Sequence, residues 1–134
     1  MPLSTYAANK ILEHQVGKTS WTMPTNVYVA LSSTTPTIGN TNVTEPSGGA
    51  YARVQTTGAV WGTAAAGSMT NASTITFPAA TADWLAQATL TYAVIYDAAS
   101  AGNMIAFGTL TVPKNCLNGD TISIAASGAT ITLT

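Results

Sequence analysis

Residues 90–110 read LTYAVIYDAASAGNMIAFGTL, in which two strand-forming runs flank a loop of turn residues. This pattern predicts a β-hairpin, because β-branched and aromatic residues favour strands while Asp, Ser, Gly and Asn favour turns. Neither run carries a charge, whereas a strand with one solvated face normally has polar residues at alternate positions. We therefore expect the hairpin to be covered on both faces and the rest of the chain to be arranged around it.

The first run of the hairpin is predicted to have one bulky face and one smaller face, because successive side chains of a strand alternate. The bulky face should fill the core, and the smaller face should admit a close neighbour, either an N-terminal helix or another subunit. A Phe107→Ala substitution should then cost about 3–5 kcal/mol. The bulky face comprises Leu90, Tyr92, Val94 and Tyr96, the smaller face comprises Thr91, Ala93 and Ile95, and the side chains expected to be largely buried are Tyr92, Val94, Ile105 and Phe107.

The composition combines an ordinary apolar content with very few charges. Hydrophobic residues make up 46% of the 134 residues, but charged residues make up only 7%, against about 25% in typical soluble domains. A folded chain of this mass exposes roughly 6,500 Å², so the four basic and five acidic residues are spread at about one charge per 700 Å². Such a surface loses water at low cost, which suits a subunit that is packed against neighbours.

Charge and hydropathy argue against two classes of partner. The formal net charge is -1 and the four basic residues are scattered, whereas phosphate binding needs clustered Lys and Arg, so we predict no nucleic acid. No apolar run approaches the length of a membrane span, and the first residues lack the layout of a signal peptide. We therefore predict no membrane association and synthesis in a cytoplasm without export by a cleaved signal. The single cysteine, Cys116, excludes an intrachain disulfide.

Outside the hairpin, the sequence predicts one helix followed by short strands. Residues 3–17 predict the helix, with Ser4 as its N-cap and Gly17 beyond its C-terminus. Seven or eight short strands at this spacing are typical of an all-β fold, either a β-sandwich or a jelly-roll-like or barrel-like fold. We predict a single domain over residues 1–134, with an N-terminal helical arm at 1–20 and a β-body at 21–134. The other predicted strands are 26–31, 51–55, 60–61, 73–77, 121–124 and 130–133, with a loop at 62–71 and a helical turn beginning at 83–84.

Five segments carry a resemblance to known proteins: NVYVAL at 26–31, EPSGGAYARV at 45–54, FPAATADW at 77–84, IYDA at 95–98 and NGDT at 118–121. Together they resemble a family of small tailed-bacteriophage virion proteins, whose members are labelled tail-fibre-like or capsid decoration (cement) proteins. The resemblance spans nearly the whole chain, including the helix. It implies a non-enzymatic structural protein that assembles as a symmetric oligomer. The chain departs from the family at 85–89, where a shorter and more Gly-rich turn is expected.

Residues able to carry chemistry are few. A nucleophile paired with histidine would have to use His14, which lies on the short helix with no acidic partner indicated. Cys116 is expected to be a small buried hydrophobe, and Asp97 and Asp120 are expected to cap turns rather than bind Ca²⁺. The spacing of the acidic residues favours no carboxylate pair for glycoside hydrolysis. We therefore predict no enzyme activity, no catalytic residue, no metal site and no cofactor.

The tryptophans and Arg53 are the residues most suited to binding. Trp21, Trp61 and Trp84 could line a sugar platform, although a core or a subunit interface is the more common place for Trp. Arg53 is expected to pair with Glu45 or Asp83 in the same subunit, or with a neighbour in an assembly. The candidate intersubunit or lattice contacts are Ile11, Leu12, Glu45, Tyr51, Arg53, Trp61 and Trp84, together with the loop at 34–49 and the Ala/Gly-rich stretch at 62–67.

Three functions are consistent with these features. The first is a capsid decoration (cement) subunit, a homotrimer that binds the major capsid protein or other virion proteins and is made in the cytoplasm of the bacterial host. The second is a tail or tail-fibre-associated virion protein. The third, from another class, is a carbohydrate-binding module. Because so few charges are present, association in the first two cases should depend little on salt.

Overall fold

The computed structural model describes residues 1–22 and 24–133, in which one N-terminal helix is followed by eight strands that pair antiparallel. The predicted all-β class with one helix is confirmed. Met23 and Thr134, which the domain prediction includes, lie outside the described residues. Four strands form a sheet in the order β2-β1-β5-β6, and two further pairs are β3-β8 and β4-β7. The elements are α1 (Thr5–Gln15), β1 (Val27–Ser32), β2 (Val54–Thr56), β3 (Ser68–Thr70), β4 (Ile75–Thr76), β5 (Leu90–Tyr96), β6 (Met104–Lys114), β7 (Ser123–Ile124) and β8 (Thr130–Thr132).

The helix begins at the predicted N-cap. The hydroxyl of Ser4 accepts a hydrogen bond from the amide of Ala7 at 3.1 Å, which satisfies one of the free donors at the helix start. The same hydroxyl donates to the carbonyl of Met104 on β6, so the cap also ties the helix to the sheet. Gly17 follows the helix with φ +72°, the left-handed conformation for which glycine is suited.

The predicted hairpin is formed by β5 and β6, but an irregularity changes which side chains share a face. The register shifts between Leu90 and Tyr92. As a consequence Leu90 joins Ala93 in one core cluster, while Val94 and Tyr96 belong to a second cluster. The prediction that Leu90 shares a face with Val94 and Tyr96 is therefore wrong, because a bulge reverses the alternation of side chains.

Both faces of β5 are covered, as its lack of charge predicts: residues 93–96 are at most 4% exposed. Of the four hairpin side chains expected to be largely buried, only Val94 is, and Tyr92, Ile105 and Phe107 are half-buried. Phe107 packs against the second, smaller cluster rather than the main core. Phe107→Ala should therefore cost less than the 3–5 kcal/mol expected from the sequence, since less apolar surface becomes exposed.

The main core fills the space between one face of the four-stranded sheet and the β4-β7 pair. Its largest side chain, Trp84, is 1% exposed, and Cys116 is fully buried, which confirms its predicted role as a small hydrophobe. The other buried members are Val29, Leu31, Ile75, Phe77, Ala80, Leu90, Ala93, Ile122, Ile124 and Ala129.

Two local predictions fail between residues 58 and 71. Residues 58–60 form a short 3₁₀ turn where a strand was expected to begin, and Trp61 makes only an isolated bridge to Asn71. The predicted loop at 62–71 contains β3, whose Met69 pairs with Ile131 of β8. This strand is specified by a partner about sixty residues away rather than by local propensity. A turn is present at 84–87, but it is not the helical turn predicted from Asp83 onward, because Leu85 and Ala86 have φ +50°, in the left-handed region.

Residues 1–4 join the four-stranded sheet to the β3-β8 pair. On one side Leu3 bridges antiparallel to Ala106 of β6. On the other side the Met1 amine donates to the carbonyl of Thr130 at 2.9 Å, and the Met1 carbonyl accepts from the amide of Thr132 at 3.4 Å. This short extended segment therefore lies between two strands that are far from it in sequence.

Candidate functional site

Arg53 lies at the centre of a cluster of charged and aromatic side chains. Its Nε and Nη2 atoms donate to the two carboxylate oxygens of Glu45, each at 2.9 Å, in a bidentate arrangement. Both side chains are largely buried, with 9% of Arg53 and 22% of Glu45 exposed. Of the alternatives left by the sequence, pairing with Glu45 in the same subunit is confirmed. Asp83 instead accepts hydrogen bonds from Gln87 and Asn118.

The remaining contacts of Arg53 hold the tip of the β5-β6 hairpin. Nη1 donates to the carbonyls of Ala98 and Ala101 at 3.0 and 2.8 Å, and the guanidinium carbon lies 3.7 Å from the centre of the Tyr96 ring. Burial acts to lower the pKa of Arg53, but the contacts with Glu45 outweigh it, so the pKa is raised above its usual value. Arg53 is therefore a charged anchor, and four of its five N–H donors are bonded within the chain.

Tyr51 extends this cluster toward β1. Its hydroxyl donates to Glu45 at 2.8 Å and accepts the backbone amide of Leu31 at 3.1 Å. The pKa of Tyr51 is raised far above its ordinary value, chiefly because burial disfavours the charged phenolate. The hydroxyl therefore stays protonated and serves as a donor. Together Glu45, Tyr51 and Arg53 connect the long loop after β1 to two strands and to the hairpin tip. Their arrangement is that of a structural anchor, and their predicted contact with another subunit is untested.

Trp84 cannot be the intersubunit contact that the sequence suggested. It is 1% exposed, its Nε1 donates to the carbonyl of Gly49 at 2.9 Å, and its ring packs edge-on against Tyr51 at 5.0 Å between centres. The glycine explains the close approach, because a Cβ at Gly49 would lie 3.0 Å from the indole. The aromatic residue is thus part of the core, which is a common place for Trp.

The other two tryptophans lie nearer the surface and pack against different neighbours. Trp61 is half-buried, donates to the Thr56 hydroxyl at 3.1 Å and lines an apolar hollow of about 320 Å³. Trp21 packs edge-on against Tyr6 of the helix, with ring centres 6.5 Å apart. A sugar platform made of all three tryptophans is therefore not formed, since Trp84 is inside the core.

Apolar side chains are exposed on the helix and at the chain's far end. Leu12 is 61% exposed and Val16 is 78% exposed. Ile11 is half-buried and lines, with Leu12 and Leu133, a groove of about 390 Å³. Ile11 and Leu12 are thus accessible, as an intersubunit contact requires, but their contact with a second subunit stays a prediction. Val112 and Leu133 were not among the contacts predicted from the sequence, since single apolar residues in Thr-rich segments carry no periodic signal.

A double substitution separates the role of this helix surface in folding from its role in assembly. Leu12→Ser with Val16→Ser should change the free energy of unfolding by less than about 0.5 kcal/mol per site, because both side chains are mostly exposed. Self-association should weaken, because apolar contact area is lost. Urea unfolding and sedimentation velocity measure the two effects, with the exposed polar Asn9→Ser as control. Unchanged sedimentation would remove the helix from the interface.

The acidic turn residues cap backbone groups as predicted. Asp97 accepts the amide of Asn103 at 2.7 Å, and Asp120 accepts that of Leu117 at 3.0 Å. Within residues 1–22 and 24–133, no three side chains of His, Cys, Asp or Glu are grouped as a metal site would need. No helix within these described residues has the length and hydropathy that a membrane crossing requires.

The chain is similar to a family of known proteins. The family model described as "Podophage GP4 fiber I protein gp80" matches residues 2–132, from the N-terminal segment to the end of β8. No curated protein matches the chain.

Proposed function

Since the chain belongs to the family of the podophage GP4 fiber I protein gp80, we propose that it is a non-enzymatic component of a bacteriophage tail fibre. The observation that carries this proposal is the family match over residues 2–132, which includes both the helix and the β-body. The family is one of phage structural proteins, and its description favours the tail-fibre alternative over the capsid decoration role that was the first expectation from the sequence.

The surface supports a role in assembly. The described fold exposes 6975 Å², close to the area expected from its mass, and few charges are available on it. Arg53 and Glu45 are used internally, and Lys18 and Glu13 approach each other at 3.8 Å. Contacts with neighbours should therefore rest on apolar side chains and backbone hydrogen bonds rather than on electrostatic attraction.

The proposed partners are other virion proteins and copies of the chain itself in a symmetric oligomer, with a homotrimer as the expected state. We also propose that the protein is synthesised in the cytoplasm of the bacterial host and is then incorporated into the virion. Nucleic acid and membrane are not among the proposed partners.

Localisation on intact particles tests the proposal directly. Gold-labelled antibodies against the protein should mark the tail region in negative-stain electron micrographs, and particles assembled without the protein are the control. Label spread over the capsid would instead restore the decoration role. Heating gives a second readout, because a tail-fibre component should leave the temperature of genome release unchanged, whereas a decoration subunit stabilises the shell it binds.

Binding of the purified protein to particles that lack it should depend little on salt. Between about 50 and 500 mM the Debye length falls to a few Å, which screens exposed charges but not apolar contacts. We expect the dissociation constant to change less than about threefold over this range, measured by co-sedimentation. A tenfold weakening would show that the few basic residues matter more than the structure suggests.

A further inference from the structure

The turn at residues 117–120 presents the dipeptide Asn118-Gly119 to solvent, since both residues are exposed. The amide of Asp120 donates to the carbonyl of Leu117 at 2.9 Å, and the Asp120 carboxylate accepts the amide of Leu117 at 3.0 Å. Gly119 has φ +92°, which together with the first of these hydrogen bonds is the pattern of a type II turn. The turn is therefore well ordered but lies at the surface.

Asparagine followed by glycine is the sequence in which the side chain is attacked most readily by the next backbone nitrogen, because glycine has no side chain to shield its amide. The amide nitrogen loses its proton to base and bonds to Cγ of the asparagine, and the side-chain nitrogen takes up a proton and leaves as ammonia. Water then opens the cyclic imide at either carbonyl, which gives aspartate or isoaspartate. Asn118 is the one asparagine of the sequence that is followed by glycine.

Both backbone amides of the dipeptide are hydrogen-bonded to a segment that lies opposite the turn. The Gly119 amide donates to the carbonyl of Ala80 at 2.7 Å, and the Asn118 amide donates to Oδ1 of Asp83 at 2.8 Å. The attack needs the Gly119 nitrogen to lose its proton and to turn toward the Asn118 side chain. It can do neither while it donates to Ala80, so the turn must open first.

The segment opposite the turn, residues 80–84, is itself fixed to the main core. The amide of Ala80 donates to the carbonyl of Asp120 at 2.8 Å, and the amide of Trp84 donates to the carbonyl of Cys116 at 3.0 Å. Trp84 and Cys116 are both buried. Opening the turn therefore breaks several hydrogen bonds next to the core, which makes the open state rare.

We propose that Asn118 is a site of spontaneous deamidation that the folded chain protects, with residues 80–84 holding the Gly119 amide away from the asparagine side chain. Either product should weaken the turn. Aspartate at position 118 adds a negative charge where the backbone already contacts Asp83, and isoaspartate adds a methylene group to the backbone and disturbs the spacing of the turn. The proposal concerns the folded chain alone and does not depend on the fibre assignment.

The rate of deamidation in the folded protein, compared with that of a peptide, tests the protection. The peptide has the sequence of residues 117–122 and is acetylated and amidated. Digestion and mass spectrometry follow the modification at Asn118, and enzymatic methylation detects isoaspartate. At the same pH and temperature, the folded protein should react at least about tenfold more slowly than the peptide. Equal rates would overturn the proposal.

Variants at position 83 test the part played by the segment opposite the turn. Asp83→Ala removes the acceptor of the Asn118 amide and should raise the deamidation rate about two- to tenfold, the range for losing one hydrogen bond. Asp83→Asn keeps an acceptor oxygen and should retain most of the protection. Gln87→Ala is the matched control, because Gln87 bonds the other oxygen of Asp83 and should not affect the rate. Equal acceleration by Gln87→Ala, or none by Asp83→Ala, would overturn the role of the Asp83 contact.

Hydrogen exchange of the Gly119 amide provides a measurement that does not depend on any variant. The opening that exposes this amide to exchange is the same opening that allows it to attack Asn118. The factor by which folding slows exchange and the factor by which folding slows deamidation should therefore agree within about threefold. A well-protected Gly119 amide together with deamidation as fast as in the peptide would overturn the proposed mechanism of protection.

Discussion

Replacing Trp84 by alanine should lower the free energy of unfolding by about 3–5 kcal/mol, the range for removing a large buried aromatic side chain. Trp84 is 1% exposed at the centre of the main core, so little relaxation is available to close the cavity. The substitution also removes one of the two hydrogen bonds that the Gly49 carbonyl accepts, the other being from the Thr81 amide, and it removes the edge-on contact with Tyr51. Urea unfolding followed by far-UV circular dichroism measures the change.

Two other variants separate volume from hydrogen bonding at this position. Trp84→Phe keeps most of the packed ring but loses the indole N–H, so it should cost clearly less than the alanine variant. The lost hydrogen bond should contribute about 0.5–1.5 kcal/mol, because the Gly49 carbonyl still accepts the Thr81 amide. Trp21→Ala removes a half-buried tryptophan outside the core and should cost less than either. A loss below 1 kcal/mol for Trp84→Ala would contradict the placement of this side chain.

Breaking the Arg53 pair should be the second large effect. Arg53→Met or Glu45→Gln should each cost about 2–4 kcal/mol, because removing one partner leaves the other charge largely buried and uncompensated. Arg53→Met also frees the two carbonyls at the hairpin tip. The double variant should cost less than the sum of the single ones, since the two residues act on one interaction. Urea unfolding of all four proteins completes the cycle.

The chain contains a matched control for this pair. Lys18 and Glu13 lie 3.8 Å apart but are 71% and 37% exposed, so Glu13→Gln should change stability by less than about 1 kcal/mol. Equal effects of Glu13→Gln and Glu45→Gln would mean that burial does not distinguish the two ion pairs. In that case the cluster around Arg53 could not be the anchor of the long loop.

Features governed by local chemistry were predictable from the sequence. Ser4 is the N-cap, Gly17 adopts the left-handed conformation, and the hairpin forms where its turn residues indicate. These signals depend on residues close in sequence, where backbone propensity and capping decide the outcome. The all-β class followed from the same kind of signal, repeated over several short segments.

Features governed by distant contacts were predicted less well. β3 has no local strand signal and exists because β8 pairs with it. The register shift between Leu90 and Tyr92, where residues 110–113 of β6 lie opposite Thr91 alone, changed which face Leu90 occupies, and a period-two pattern cannot reveal such an insertion in the partner strand. The prediction of intersubunit contacts was least accurate at Trp84. Tryptophan is common both in cores and in interfaces, and only the fold distinguishes the two. Arg53 was singled out for its rarity, but its ring partner is at the end of β5 and its carbonyl partners are in the loop that follows, about 45 residues away.

The extended segment at residues 1–4 has a consequence for the kinetics of folding. Its neighbours are near residues 105–107 and 130–132, so the contacts that join the two sheets span most of the chain. Closing such long loops costs entropy before any contact is gained, and folding rates fall as the mean sequence separation of contacts rises. During translation, residues 1–4 lack one of the two strands that they contact until β8 has left the ribosome. We therefore expect the two sheets to join late, after β8 has been synthesised, with residues 1–4 as the last element to order.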